Sequence, residues 1–167
     1  MKYLTITTPD VNNGDGCRVT LWIPGCKRGC IGCQNPHTHN YNQGLEFEEA
    51  TYEFLVRTLS YPYIQGLTIS GGDPLMQSDE VLEDLKYLIQ RLKTDLPDKD
   101  IWLYTGYYID DLSPKQIDVV ELCDVVVDGP YIERYKDVTL QFRGSSNQTI
   151  WKMEPNELNI QLFPDIL

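Results

Sequence analysis

Three of the five cysteines fall within eight residues, and this cluster constrains the chain more than any other feature. The segment Pro24-Gly-Cys26-Lys-Arg-Gly-Cys30-Ile-Gly-Cys33-Gln-Asn-Pro-His37 spaces them as C-x3-C-x2-C. Glycines at 25, 29 and 32 let the backbone curl tightly around a shared centre. Thiolates in such a loop suit zinc or an iron–sulfur cluster. A closed zinc site or a closed cluster usually takes four ligands. Cys17 and Cys123 are candidates for the fourth position, and His37 or His39 would complete a zinc site. Cys123, however, stands just before a stretch that reads as core strand, and Cys17 precedes the strand that enters the loop. Three thiolates on a four-iron cluster leave one iron open to chelate a small molecule through an amine and a carboxylate. Three unrelated free thiols are the bland alternative.

A loop of this kind needs a scaffold, and the flanking sequence alternates between strand and helix patterns. Residues 18–23 read as a strand ended by Pro24-Gly25, and 66–70 as a short buried strand stopped by Gly71-Gly72. Residues 101–105 and 123–128 read as two more strands. A helix over 46–59 carries an apolar stripe at Phe47, Ala50, Phe54 and Leu55. A second helix over 78–93 has Leu82, Leu85, Ile89 and Leu92 on one face, with Ser78 as its N-cap. Ser113-Pro114 opens a third helix. Two further short strands are expected near Ile150-Trp151 and at 158–163. This alternation favours an α/β fold with a mainly parallel sheet and helical crossovers. In such sheets binding residues gather at the C-terminal strand ends, where Cys26, Gly72, Thr105 and Asp128 fall.

At 167 residues, without repeats or linker-like stretches, the chain reads as a single domain over 1–167. Its formal charge of −11 argues against a nucleic-acid partner. No apolar run reaches the roughly 20 residues of a membrane span. The opening residues are too weakly apolar for a signal peptide. An odd cysteine count suits a reducing compartment, so a cytoplasmic address is expected.

Cys26, Cys30 and Cys33 also form the signature of the radical S-adenosylmethionine (SAM) superfamily. Gly71-Gly72-Asp73-Pro74 after a buried strand resembles that superfamily's glycine-rich SAM-binding motif. The Asp-Pro version, with Leu103-Tyr-Thr-Gly-Tyr107, Asp128-Gly-Pro-Tyr131 and Phe142-Arg-Gly-Ser-Ser-Asn-Gln148, resembles the activating proteins of anaerobic ribonucleoside-triphosphate reductase. The resemblance runs from the N-terminus to about residue 151. It implies a 4Fe-4S cluster on the three thiolates, with SAM chelating the open iron. Reductive cleavage of SAM would give a 5′-deoxyadenosyl radical that takes hydrogen from a glycine of the large reductase subunit. The cofactor carries that chemistry, so no side chain is assigned an acid–base role. A reduced flavodoxin-like protein is the implied electron donor. The implied fold is a partial, open (β/α) barrel of the radical SAM type, since a full barrel takes roughly 250 residues. An open side would admit a protein loop.

The resemblance places SAM contacts at Gly32 and Gln34, which flank Cys33. Lacking a side chain, Gly32 offers only backbone. Gly72 would expose backbone groups to the methionine end of SAM, and Asp73 would accept from its amine. Thr105 or Tyr104 would line the adenosine pocket. Asp128 has two readings, ribose binding or capping of the next turn. Arg143, Ser145, Ser146 and Gln148 would meet the partner or the SAM carboxylate, or form a solvated loop. Lys27 and Arg28 would raise the cluster potential or meet an acidic redox donor, or simply lie at the surface. His37 and His39 read as structural or solvent-facing. Competing functions are a radical SAM enzyme with another target and a zinc interaction module. Dinucleotide binding through Gly14-Asp-Gly16 lacks the required strand and helix context.

Overall fold

Apolar and polar residues alternate along the central strands, and this gives the sheet two unlike faces. In the computed structural model the described residues are 1–154 and 157–162, with side chains described through Met153. Their strands are Lys2–Tyr3 (β1), Thr5–Asp10 (β2), Arg18–Ile23 (β3), Leu45–Glu46 (β4), Gly66–Gly71 (β5), Asp100–Tyr104 (β6), Val125–Asp128 (β7), Thr149–Glu154 (β8) and Glu157–Leu162 (β9). The helices are Glu49–Leu59 (α1), Asp79–Asp95 (α2) and Pro114–Val120 (α3). β1 pairs antiparallel with β4, and the other seven strands form one sheet in the order β2-β3-β5-β6-β7-β8-β9.

The expectation of a mainly parallel sheet is corrected here. β3, β5, β6 and β7 run parallel, but β2-β3, β7-β8 and β8-β9 are antiparallel, so the sheet is mixed. The connections explain the mixture. A parallel crossover needs a dozen or more residues, and α1, α2 and α3 supply the central ones. The seven residues between β2 and β3 allow only an antiparallel return. The chain between β7 and β8 holds no α-helix.

One face of the sheet carries Val19, Leu21, Ile23, Leu67, Ile69, Leu103 and Val126, all buried against the helices. From α2 it receives Leu82, Leu85, Leu88, Ile89 and Leu92, with Ser78 at the N-cap position as expected. α1 differs from its expected stripe. It starts at Glu49 and buries Tyr52, Leu55, Thr58 and Leu59, while Ala50 and Phe54 are exposed. Phe47 precedes the helix and packs from the loop. α3 begins with a capping box in which Ser113 N–H donates to Gln116 Oε1 (2.8 Å). The fourth parallel strand starts at Val125 rather than 123, and β9 covers 157–162, leaving Phe163 outside the described residues.

The opposite face carries Arg18, Thr20, Thr68, Trp102 and Tyr104, with no α-helix over it. Arg18 is fully buried there. Its guanidinium donates to Thr68 Oγ1 (2.8 Å) and to the Leu67 carbonyl (2.9 Å), pairs with Asp100 (2.7 Å) and lies over the Trp102 ring. This network fixes the floor beneath the open side of the sheet. Removing the cation strands several buried acceptors. Arg18→Met should therefore lower stability by about 2–4 kcal/mol in urea unfolding. A change within about 0.5 kcal/mol, typical of a surface position, would contradict it.

Candidate functional site

The cysteine loop is carried by the end of β3 and folds back on itself. Gly25 N–H donates to the Thr38 carbonyl (2.7 Å) and Cys26 N–H to that of His39 (3.1 Å). A 3-10 turn at Pro36–Thr38 makes the reversal, and Thr38 is buried beneath it. Gly29 and Gly32 have positive φ (62° and 74°), which closes the tight bends between the cysteines. The loop is then locked to the end of β5. Asp73 N–H donates to the Gly25 carbonyl (2.9 Å), and Gln77 Nε2 donates to the carbonyls of Pro24 (3.1 Å) and Asp73 (2.9 Å).

These contacts frame one cavity of about 590 Å³ at the C-terminal ends of the parallel strands. Cys26, Cys30 and Cys33 line it from one side, and Gly72, Asp73 and Thr105 from the strand ends. Gln34 also reaches the wall. Gly32 does not line the wall, and a Cβ there would run into the Glu133 and Tyr131 side chains. Across the cavity are Asn13, Tyr104, Phe142 and Arg143. Cavities of this size hold small organic ligands.

Asp73 organises the strand ends. Its side chain is 2% exposed. Oδ1 accepts from Thr105 Oγ1 (2.9 Å) and Leu75 N–H (3.1 Å), and Oδ2 accepts from Gly106 N–H (3.0 Å). Arg28 Nη2 lies 3.9 Å from Oδ2, while its guanidinium stacks over the Tyr107 ring. Burial pushes the Asp73 carboxyl up, against the pull of these three hydrogen bonds and the Arg28 charge. A carboxylate has about four acceptor positions, so one remains for a ligand donor.

Burial also raises the Cys26 and Cys30 thiols, with Arg28 opposing it at both. Thiols held up in this way lose their protons on meeting a metal. Cys33 Sγ accepts from Asn35 N–H (3.4 Å) and contacts His39 Nε2 (3.4 Å). Cys123 is buried in the helix-side core, away from this cavity, and its Sγ lies 3.5 Å from the Val119 carbonyl. Among the described residues, no three His, Cys, Asp or Glu side chains meet at the spacing of a single metal ion.

The remaining candidates fall into place around this frame. Asp128 caps backbone, accepting from Ile109 N–H (3.0 Å) and Thr149 N–H (3.3 Å). Gln148 accepts from Gly144 N–H (2.9 Å) and donates to the Gly129 carbonyl (3.0 Å), which holds the 141–148 loop over β7. Arg143 donates to the Gln148 carbonyl (3.2 Å), and Ser145 is fully buried. Sequence reasoning missed Asn13, which arrives from a loop without a local motif, and gave Phe142 no role beyond its place in the 142–148 motif.

A family model described as a 4Fe-4S single cluster domain matches residues 12–151. The anaerobic ribonucleoside-triphosphate reductase-activating protein of Escherichia coli is 40% identical over 152 residues, covering 90% of this chain and 97% of the relative. The proteins of the same name from Haemophilus influenzae and Enterobacteria phage T4 are 39% and 42% identical, covering 92% and 90% of this chain and 99% and 94% of theirs. The chain belongs to this family of reductase-activating proteins.

The site suits what the family model describes. Three soft sulfur donors share one cavity wall, which is the donor chemistry of an iron–sulfur cluster. Beside them, Arg28 Nε and Nη2 are buried and find no hydrogen-bond partner among the described residues, donors that suit an acceptor on a ligand. The approach of the two motifs also explains the glycine at position 72. A Cβ on Gly72 would lie 2.6 Å from the Gly25 carbonyl carbon, so that position needs glycine for loop packing. Gly29 has nothing within 4 Å of its Cβ direction. Gly72→Ala should push the cysteine loop away and lower the iron bound per chain after reconstitution. Gly29→Ala, which meets only a φ penalty of about 1–2 kcal/mol, should keep its iron. Equal iron in both variants would contradict the packing argument.

Proposed function

We propose that this chain, as a single radical SAM domain over 1–167, activates the large subunit of an anaerobic ribonucleoside-triphosphate reductase. The observation that carries the reading is the shared cavity of the three thiols and the Gly71–Asp73 turn, in a chain of this family. Cys26, Cys30 and Cys33 would hold a 4Fe-4S cluster as thiolates, and SAM would bind beside it. When both are bound, the cluster, once reduced by the donor protein, would pass one electron to SAM and so break a carbon–sulfur bond, giving methionine and a 5′-deoxyadenosyl radical able to take hydrogen from a reductase glycine.

The chain's own residues bind, orient and shield. Gly72 presents backbone at the strand end, and the free acceptor position of Asp73 takes the ligand amine. Thr105 is held by Asp73 at the cavity wall. Gln34 completes the cysteine side, and Gly32, which does not line the cavity, is left without a ligand contact. Arg28 offers its donors to the ligand carboxylate. Loop 141–148 covers the far side and limits water. The open helix-free face leaves room for a protein loop. A reduced flavodoxin-like donor would reach the cluster past the exposed Lys27.

A zinc centre of the three cysteines and His39 is the second reading; the His39–Cys33 contact favours it, and the absence of single-metal spacing among the described residues counts against it. Metal analysis separates the two.

The test is glycyl radical yield by electron paramagnetic resonance after anaerobic incubation with the reductase, SAM and a reductant. Replacing any one of Cys26, Cys30 or Cys33 by Ala should abolish the radical, and Cys123→Ala should retain the cluster. A normal yield from any of the three variants, or iron loss in Cys123→Ala, would overturn the ligand set.

A further inference from the structure

The structure places one side chain against a cysteine sulfur, and neither the C-x3-C-x2-C spacing nor the Gly-Gly-Asp-Pro turn accounts for it. His39 Nε2 lies 3.4 Å from Cys33 Sγ, on the same sulfur that accepts from Asn35 N–H at 3.4 Å. The ring is half-buried, and its residue is held by backbone contacts on both sides. His39 N–H meets the Pro36 carbonyl (3.4 Å), and the His39 carbonyl receives Cys26 N–H (3.1 Å). The short 3-10 turn at Pro36–Thr38 therefore aims the imidazole at the cavity wall.

We propose that His39 is a positioning residue for the electron step, donating an Nε2–H hydrogen bond to Cys33 Sγ and thereby raising the cluster's reduction potential. The inference rests on the cluster reading of the preceding subsection. A thiolate bound to iron carries no proton, so the hydrogen between the two atoms must come from the imidazole. That fixes the tautomer with the proton on Nε2. A donor to sulfur withdraws negative charge, and it does so more strongly in the reduced cluster, which holds one more electron. The reduced form is stabilised, and the donor protein delivers its electron more readily. No bond is made or broken by His39.

The experiment is a redox titration of the anaerobically reconstituted protein, followed by electron paramagnetic resonance, for the wild type, His39→Leu and His39→Gln. Iron and sulfide content should match in all three. The His39→Leu midpoint should be more negative than wild type. His39→Gln retains an amide N–H within reach of the sulfur and should recover part of the shift. In wild-type protein with ¹⁵N-labelled histidine, the pulsed spectrum should show the weak nitrogen coupling of a hydrogen bond to a ligand sulfur. An unchanged midpoint in His39→Leu would overturn the proposal. So would a strong coupling, which marks imidazole bound directly to iron, or the absence of any coupling. If His39→Leu fails to fold, the nitrogen coupling decides alone. A wild-type protein that takes up no iron would overturn the cluster reading itself, and this inference with it.

Discussion

The buried carboxylate of Asp73 is the point on which the rest of the site depends. A charge taken this far from water is costly unless donors surround it. Thr105, Gly106 and Leu75 supply them, and Arg28 adds its cation. The donors come from three stretches of chain: Thr105 and Gly106 just after β6, Leu75 in the turn after β5, and Arg28 in the cysteine loop. One side chain thus joins three strand-end loops that are distant in sequence. The Asp73 backbone completes the knot through the Gly25 carbonyl. Satisfying this one group forces the thiols and the glycine turn to face a common cavity.

The two faces of the sheet divide the labour. The helix side is apolar and buries Cys123 with Leu92, Val119 and Val126. The other side mixes polar groups with a small apolar cluster of Trp102, Val125 and Val127 under Phe142, and is closed only by loops, with Arg18 beneath and the 141–148 segment across. The cavity lined by the three thiols opens on the side without helices. The mixed sheet follows from the same division. Antiparallel strands at both edges extend the surface without adding helices over the cavity.

Much of this was legible in the sequence, for local reasons. Short β-branched runs stopped by glycine marked β3, β5 and β6, and the spacing of Leu82, Leu85, Ile89 and Leu92 marked α2. The cysteine spacing and the Gly-Gly-Asp-Pro turn marked the site. What stayed hidden was set by tertiary partners. β2, Thr-Ile-Thr-Thr-Pro-Asp, is mostly exposed and shows no apolar face, so only its pairing with β3 makes it a strand. α1 carries apolar residues on more than one side, and docking exposes Phe54 while burying Tyr52. Asp128 read as a ribose ligand or a cap of the turn after it, whereas its carboxylate accepts from the backbone of Ile109 and Thr149, partners that only the fold brings near. His39 read only as a spare zinc ligand or a structural side chain, because its contact with Cys33 arises from the fold-back of the loop. Arg28 lies between two cysteines in sequence, but its pairing with Asp73 and Tyr107 is purely spatial.

The central claim is that these three thiolates hold a four-iron cluster with one iron left for SAM. The measurement that tests it most directly is electron paramagnetic resonance of the anaerobically reconstituted, reduced protein with and without SAM. The account predicts a 4Fe-4S signal that changes shape when SAM is added. A zinc-loaded protein that shows no such signal after reconstitution would contradict it.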